Sequence, residues 1–174
     1  MTTPVPPITL EPVTLSGSTV HLESLNSRHK RELSIAAKDE TIWTHTAGGS
    51  SEEEFGTWFN DAIHQHQTGG ALVFAIYQKL GNKLVGSSRY LNIERSDRRL
   101  EIGNTWYKSD FWGSKVNPEC KLLLMTHAFE TLGCFRVEYR CDARNKHSQG
   151  AILKLGAKKE GILPGGGSAL AFAA

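Results

Sequence analysis

Leu100-Glu101-Ile102-Gly103-Asn104-Thr105-Trp106-Tyr107, followed by the loop Ser109 to Val116 and then Asn117-Pro118-Glu119, is the stretch on which the reading of this chain turns. Apolar and polar residues alternate from Asp97 to Tyr107, as in a half-buried strand. The loop holds Gly113. Behind it come Asn, a preferred helix N-cap, Pro, which suits the first helical turn, and Glu, which suits the positive helix end. A strand that runs through a glycine-containing turn into a capped helix presents free N–H groups and a positive dipole end. Together these suit a phosphate or pyrophosphate. One glycine alone does not separate such a loop from an ordinary strand-to-helix connection.

Upstream, Thr19 to Leu25 alternates as a first strand, with Val20 and Leu22 on one face. Asn26 or Ser27 caps a short helix from Arg28 to Ala37. Ser51-Glu52-Glu53-Glu54 has the hydroxyl-to-carboxylate spacing of a capping box. Phe55, Trp58, Phe59, Ala62, Ile63 and His66 share one face of the helix behind it, which Gly69-Gly70 ends. A meander follows: Leu72 to Gln78, a turn at Gly81-Asn82, and Lys83 to Ile93. Downstream, a helix reaches Leu132 with Leu122, Met125, Phe129 and Leu132 as its stripe, and Gly133 stops it. Phe135 to Cys141 alternates as a strand, and a last helix runs from about Asn145 to Leu155. The order β-α-α-β-β-β-α-β-α is an α/β layout in which an antiparallel meander feeds one crossover.

The 174 residues favour one domain, large enough for a core without disulfides. A net charge of +2, with no long Lys/Arg run, argues against nucleic acid as a partner. No apolar run is long enough for a bilayer, which argues against a membrane. Cys120, Cys134 and Cys141 form no CxxC and point to free thiols in a reducing compartment. With no signal-peptide pattern, the expectation is a cytoplasmic protein. His64 and His66, two apart on a helix, point away from each other, so no metal is expected. Cys120 or Cys141 with His127 or His147 has no spacing that specifies a hydrolase triad. Of the four tryptophans, Trp58 reads as core, and Trp112, beside the loop, is the better functional candidate.

Leu100 to Tyr107 and Phe111 to Lys121 together resemble the acetyl-CoA motif of the GNAT N-acetyltransferases. Thr126-His127-Ala128-Phe129-Glu130-Thr131-Leu132-Gly133, Arg136-Val137-Glu138, Asp142 to Ser148, Leu155-Gly156-Ala157 and Glu160-Gly161 are similar to the RimJ/RimL branch. The resemblance spans roughly residues 12 to 163. It implies a mixed, mostly antiparallel sheet flanked by helices, and acetyl transfer from acetyl-CoA to a primary amine by direct attack. The amine would be a protein N-terminus or a small molecule. It also implies cofactor contacts at Thr105, Trp106 and Tyr107, along the strand. Trp112, Gly113, Ser114, Lys115, Val116 and Asn117 would hold the pyrophosphate. Asn145 and Ser148 would serve the sulfur end, and Glu101, on the strand facing the cleft, reads either as the base, directly or through water, or as a solvated strand carboxylate. Outside the resemblance, Arg95 to Arg99 holds three arginines with Asp97 and reads as a hairpin turn with a solvated face.

Two departures stand out. The loop has Asp110 where the family has Gln or Arg, and Lys115 where it has a small residue. The family also continues past Glu160-Gly161 with two strands, where this chain has Pro164-Gly165-Gly166-Gly167 and an Ala-rich end. The expected organisation is therefore an extended lead-in at 1–17, rich in proline, an acetyltransferase domain at 18–163, and a Gly/Ala-rich tail at 164–174. With the C-terminal β-hairpin missing, Phe135 to Cys141 would be an exposed edge open to pairing in a homodimer. The alternative function is a non-catalytic acyl-CoA-binding or interaction protein of the same fold.

Overall fold

The computed structural model describes residues 6–163 and 169–174. Eight strands form one sheet: β1 (Thr14–Ser16), β2 (Val20–Ser24), β3 (Leu72–Gln78), β4 (Lys83–Glu94), β5 (Arg99–Tyr107), β6 (Arg136–Asp142), β7 (Lys158–Leu163) and β8 (Ala169–Ala173). Their spatial order is β1-β2-β3-β4-β5-β6-β8-β7. Neighbours are antiparallel except β5 and β6, the parallel pair joined by the crossover through α3 (Val116–Thr126).

Helices cover both faces. On one, α1 (Lys30–Ala36) and α2 (Glu52–Gln67) bury Leu33, Phe55, Trp58, Phe59 and Ala62 against Val73, Ala75 and Trp106. On the other, α3 and α4 (Lys146–Lys154) bury Cys120, Leu124 and Ile152 against Leu22, Phe74, Ile102 and Val137. Ser51 and Glu54 form the expected capping box at the start of α2. Ile8 lies in the core, so the lead-in packs on the body from there onward. Residues 1–5 lie outside the described residues.

Three expectations need correction. The C-terminal hairpin is present: β7 and β8 pair with each other, and β8 covers β6 from Glu138↔Ala173 to Asp142↔Ala169. In Ala169-Leu170-Ala171-Phe172-Ala173 the large residues face inward, and Phe172 is 1% exposed. Alanine counts as apolar on either face, which hid this alternation from the sequence pattern. The strand at 135–141 is therefore no free edge, and the ground for a homodimer through it falls away. Pro164 to Ser168, the first part of the expected tail, lie outside the described residues.

The face of α3 is also rotated from expectation. Leu122 is 58% exposed, while Cys120, Lys121 and Leu124 are buried. A π turn at His127–Thr131 carries the helix on to Leu132 and shifts the stripe. Finally, Asn117 lies inside the first turn of α3 and Lys115 holds the cap position, where Ser114 Oγ accepts from Val116 N at 3.2 Å. The Glu119 carboxylate does not sit free at the helix end. It accepts from the Ser18, Thr19 and Val20 backbone N–H groups at 2.6–2.8 Å, tying α3 to the β1–β2 turn.

Candidate functional site

The ladder between β5 and β6 covers Arg99–Glu101 against Arg136–Glu138. Beyond Glu101 the two strands part. A bulge helps them do so: Ser87 faces Trp106 and Arg89 faces Gly103, so Ser88 opposes two residues, one of them Asn104 at φ 45°. The extra residue moves the inward set from Leu100 and Ile102 to Tyr107. It also leaves the backbone of Gly103 to Tyr107 without a strand partner on its β6 side, among the described residues.

A cavity of about 980 Å³ fills this split. Its floor is β5 from Glu101 to Tyr107 and its far wall is β6 from Tyr139 to Asp142. The loop Phe111 to Ser114, with Asn117, closes one end, the start of α4 lines one side, and the segment Thr41 to Ala47 borders the mouth. That segment is fixed by Asp39, whose carboxylate accepts from Thr41 N at 3.1 Å and Ser109 N at 2.9 Å. Burial raises the Asp39 pKa, but these bonds outweigh it and hold the group at about 2.

Glu101 stands where the strands fork. It is 5% exposed and not the solvated carboxylate that a strand position also permits. Asn92 Nδ2 donates to its Oε2 at 2.7 Å, and Arg140 Nε lies 3.1 Å from the same oxygen. Its Oε1 is 2.9 Å from where a Cβ on Gly103 would lie, so glycine there leaves the carboxylate its room. Burial raises the pKa of Glu101, against the lowering effect of Asn92 and Arg140. A carboxylate raised in this way is a stronger base near neutral pH.

Asn145 caps α4: its Oδ1 accepts from Ser148 N at 2.9 Å. Both residues line the cavity, as do Thr105, Trp106, Tyr107, Trp112, Gly113, Ser114 and Asn117. Trp112 stacks on His147 at 5.4 Å and donates from Nε1 to the Tyr107 carbonyl at 3.0 Å. Lys115 and Val116 stand apart from the lining. Lys115 is exposed and Val116 packs into the core. Asp110 pairs with Lys108 and is also off the lining. The Gly113, Lys115 and Asn117 backbone N–H groups have no carbonyl partner among the described residues. This end of the cavity can therefore take an anion, and the open edge of β5 an extended polar chain.

Sequence reasoning missed Lys121. It is buried on α3, lines the cavity, and donates from Nζ to Thr105 Oγ1 at 2.7 Å. Thr105 Oγ1 in turn lies 2.7 Å from Ser88 Oγ. Burial pulls the Lys121 pKa down to about 8. The available signal was a lysine three residues before Leu124 and seven before Ala128, on the helix's apolar face. Arg140 and Asn92 were missed because only the fold brings them to Glu101.

The other candidates resolve simply. Cys120 is fully buried, and burial raises its thiol pKa. His127 stacks on Tyr90 instead of meeting a cysteine. His66 Nδ1 accepts from Val73 N at 3.1 Å. Among the described residues no group of three His, Cys, Asp or Glu could hold a metal ion, and no helix is long and apolar enough to cross a membrane.

The model of the acetyltransferase (GNAT) domain matches residues 19–158. A GCN5-related N-acetyltransferase from Brucella melitensis superposes with a TM-score of 0.86 at 24% identity, over 98% of this chain and 82% of that one. A probable acetyltransferase of the GNAT family from Chromobacterium violaceum gives 0.86 at 24%, over 100% and 94%. The acetyl transferase of Salmonella typhimurium that modifies the N-terminal serine of ribosomal protein L7/L12 gives 0.77 at 21%, over 91% and 95%. At these identities the likeness is one of fold. A search of curated proteins returns no match.

Proposed function

The chain belongs to the GNAT acetyltransferase family, and on that premise we propose that it transfers the acetyl group of acetyl-CoA to a primary amine. The observation that carries this reading is the split between β5 and β6, with a buried carboxylate at the fork and a helix start at the open end. The residues present fit the cofactor. Unpaired N–H groups of the Gly113 to Asn117 segment suit a pyrophosphate, and the unpaired edge from Gly103 to Tyr107 suits the amide-bearing arm. Trp112 offers a flat apolar wall beside both. Asp110, paired with Lys108, brings no free negative charge to that end.

Acetyl-CoA supplies a thioester that an amine attacks directly. The protein's share is to orient both reactants and to move protons. Glu101 takes the proton from the incoming ammonium, through its Oε1 or one water, while Asn92 and Arg140 hold Oε2. Asn145 orients the sulfur end from the start of α4, and Ser148 offers a hydroxyl beside it. The Thr41 to Ala47 border is where the acceptor enters. The Salmonella relative supports a protein N-terminus as one acceptor class, and a small amine is the other. Three free cysteines suit a reducing cytoplasm.

The test is release of free thiol from acetyl-CoA, with calorimetry of acetyl-CoA binding alongside. The amines are N-terminal peptides and small polyamines, amino acids and aminoglycosides. Turnover with any of them supports the reading. Tight binding without turnover leaves a non-catalytic binder, and no binding overturns the proposal.

A further inference from the structure

We infer that Lys121 is a catalytic residue of this site, the acid that protonates the departing sulfur; the inference rests on the acetyl-transfer reading above. Its place carries the argument. Nζ lies between the two strands beyond the end of their ladder, bonded to Thr105 Oγ1 of β5 at 2.7 Å and 5.5 Å from the centre of the Tyr139 ring of β6. An ammonium has three N–H groups, and among the described residues Thr105 is its one hydrogen-bond acceptor. Lys121 also lines the cavity, so its remaining donors serve that space.

Other basic side chains border the cavity: Lys146, Lys154, Arg140, His45 and His147. All five are exposed, whereas Lys121 is buried. Water screens the exposed charges, while a buried donor aimed at developing charge acts at full strength. Ser148 also lines the cavity, but a serine hydroxyl is a far weaker acid than an ammonium at neutral pH.

The step balances. The amine, freed of its extra proton by Glu101, forms the N–C bond to the acetyl carbon. The C–S bond breaks and sulfur keeps the electron pair. Lys121 gives sulfur a proton, and the proton left on the new amide nitrogen goes to solvent, as does the one Glu101 took, while Lys121 recovers its own from solvent. Glu101, Cys120 and Tyr139 are the titratable groups that act on Nζ, and Tyr107 and Arg140 line the same cavity. Burial lowers the Lys121 pKa to about 8, while Glu101 and Cys120 raise it. An ammonium whose pKa falls in that range can give its proton to a thiolate.

The experiment uses the full chain with Lys121→Met and Lys121→Arg. CoA thiol ionisation is read by ultraviolet absorbance in the bound complex, beside kinetics and thermal melts. In the wild type, bound CoA ionises at a lower pH than free CoA, and Lys121→Met abolishes the difference. Its kcat falls about 100-fold, with KM for acetyl-CoA within about threefold. Wild-type kcat also falls as pH rises through about 8, where Lys121 loses its proton. Lys121→Arg stays charged and loses that alkaline fall, so it decides the matter if Lys121→Met does not fold. Normal wild-type turnover with unchanged thiol ionisation or kcat in the variants overturns this inference alone. A wild type that does not bind CoA overturns the acetyl-transfer reading with it.

Discussion

Along its β4 edge, β5 is paired from Arg99 to Tyr107; along its β6 edge, the ladder runs from Arg99 to Glu101 and ends. The same nine residues thus form a closed seam on one side and an open one on the other. The closed side is drawn very tight. A Cβ on Gly86 would lie 2.1 Å from the Trp106 carbonyl oxygen, so β4 meets the end of β5, beyond the bulge, with bare backbone. The open side leaves polar backbone facing a cavity, a cost that a ligand repairs by hydrogen bonding. The site is built where the sheet stops pairing, and the tight seam holds the strand in place while it does so.

Gly86→Ala attacks the closed seam and has the largest expected effect. The clash is with backbone, so β4 and β5 must separate, at a cost of about 4 kcal/mol. Chemical denaturation reads the loss. A variant within about 1 kcal/mol of wild type would show that the seam yields, and that the contrast between the two edges is weaker than the geometry says.

Glu101→Gln acts at the fork itself. The side chain keeps its shape and an oxygen for Asn92, so the melting temperature is expected to stay within a few degrees of wild type. Turnover drops about 100-fold through loss of the base. The wild-type profile carries an acid limb above the ordinary carboxylate range, because burial raises Glu101. Activity rises with pH through that limb as the carboxylate ionises, and Glu101→Gln lacks the limb. An unchanged profile removes Glu101 from the chemistry and leaves it as a strut for Arg140.

How far the sequence disclosed this contrast depends on the kind of contact. The strand Arg99 to Tyr107, the loop with Gly113 and the helix behind it follow from local alternation and turn residues, and were legible. So were the capping box at Ser51 and Glu54 and the end of the last helix near Leu155. Glu101, Trp112 and Asn145 could be named as candidates because the motif carries them. Lys121, Arg140 and Asn92 could not. Each meets its partner across 9 to 39 residues of chain, a distance that periodicity does not register. Strand β8 was missed for another reason: three of its five residues are alanine, and its face is set by Leu170 and Phe172 alone. The bulge at Asn104 leaves no mark in composition, yet it turns the strand and opens the cleft.

Glu119→Gln tests what holds α3 beside the open edge. The carboxylate grips the turn Ser18 to Val20, on the side of the sheet away from β6. Burial raises its pKa, but the hydrogen bonds from Ser18, Thr19 and Val20 outweigh this and leave it at about 2. Its folded pKa therefore lies below the unfolded value of 4.5. The stability it gives is complete above that value and is lost as pH falls toward about 2. Glu119→Gln is expected to cost about 2 kcal/mol at neutral pH and to flatten the acid loss across that window. If the two proteins lose stability in parallel on acidification, α3 is positioned by its apolar face alone.

Asn145 gives the smallest effect and the finest cut, because one side chain has both a structural and a proposed chemical duty. Its Oδ1 caps α4, worth about 1 kcal/mol. Its Nδ2 has no hydrogen-bond partner among the described residues and is the group proposed to orient the cofactor's sulfur end. Asn145→Asp separates the two, since aspartate caps a helix as well as asparagine but has no amide donor. The aspartate variant is expected to melt like wild type and to turn over about tenfold more slowly, the loss of one hydrogen bond in the transition state. Asn145→Ala should add a loss of stability without slowing turnover much further. If Asn145→Asp turns over normally and Asn145→Ala is merely less stable, the residue belongs to the architecture of the open edge and has no part in its chemistry.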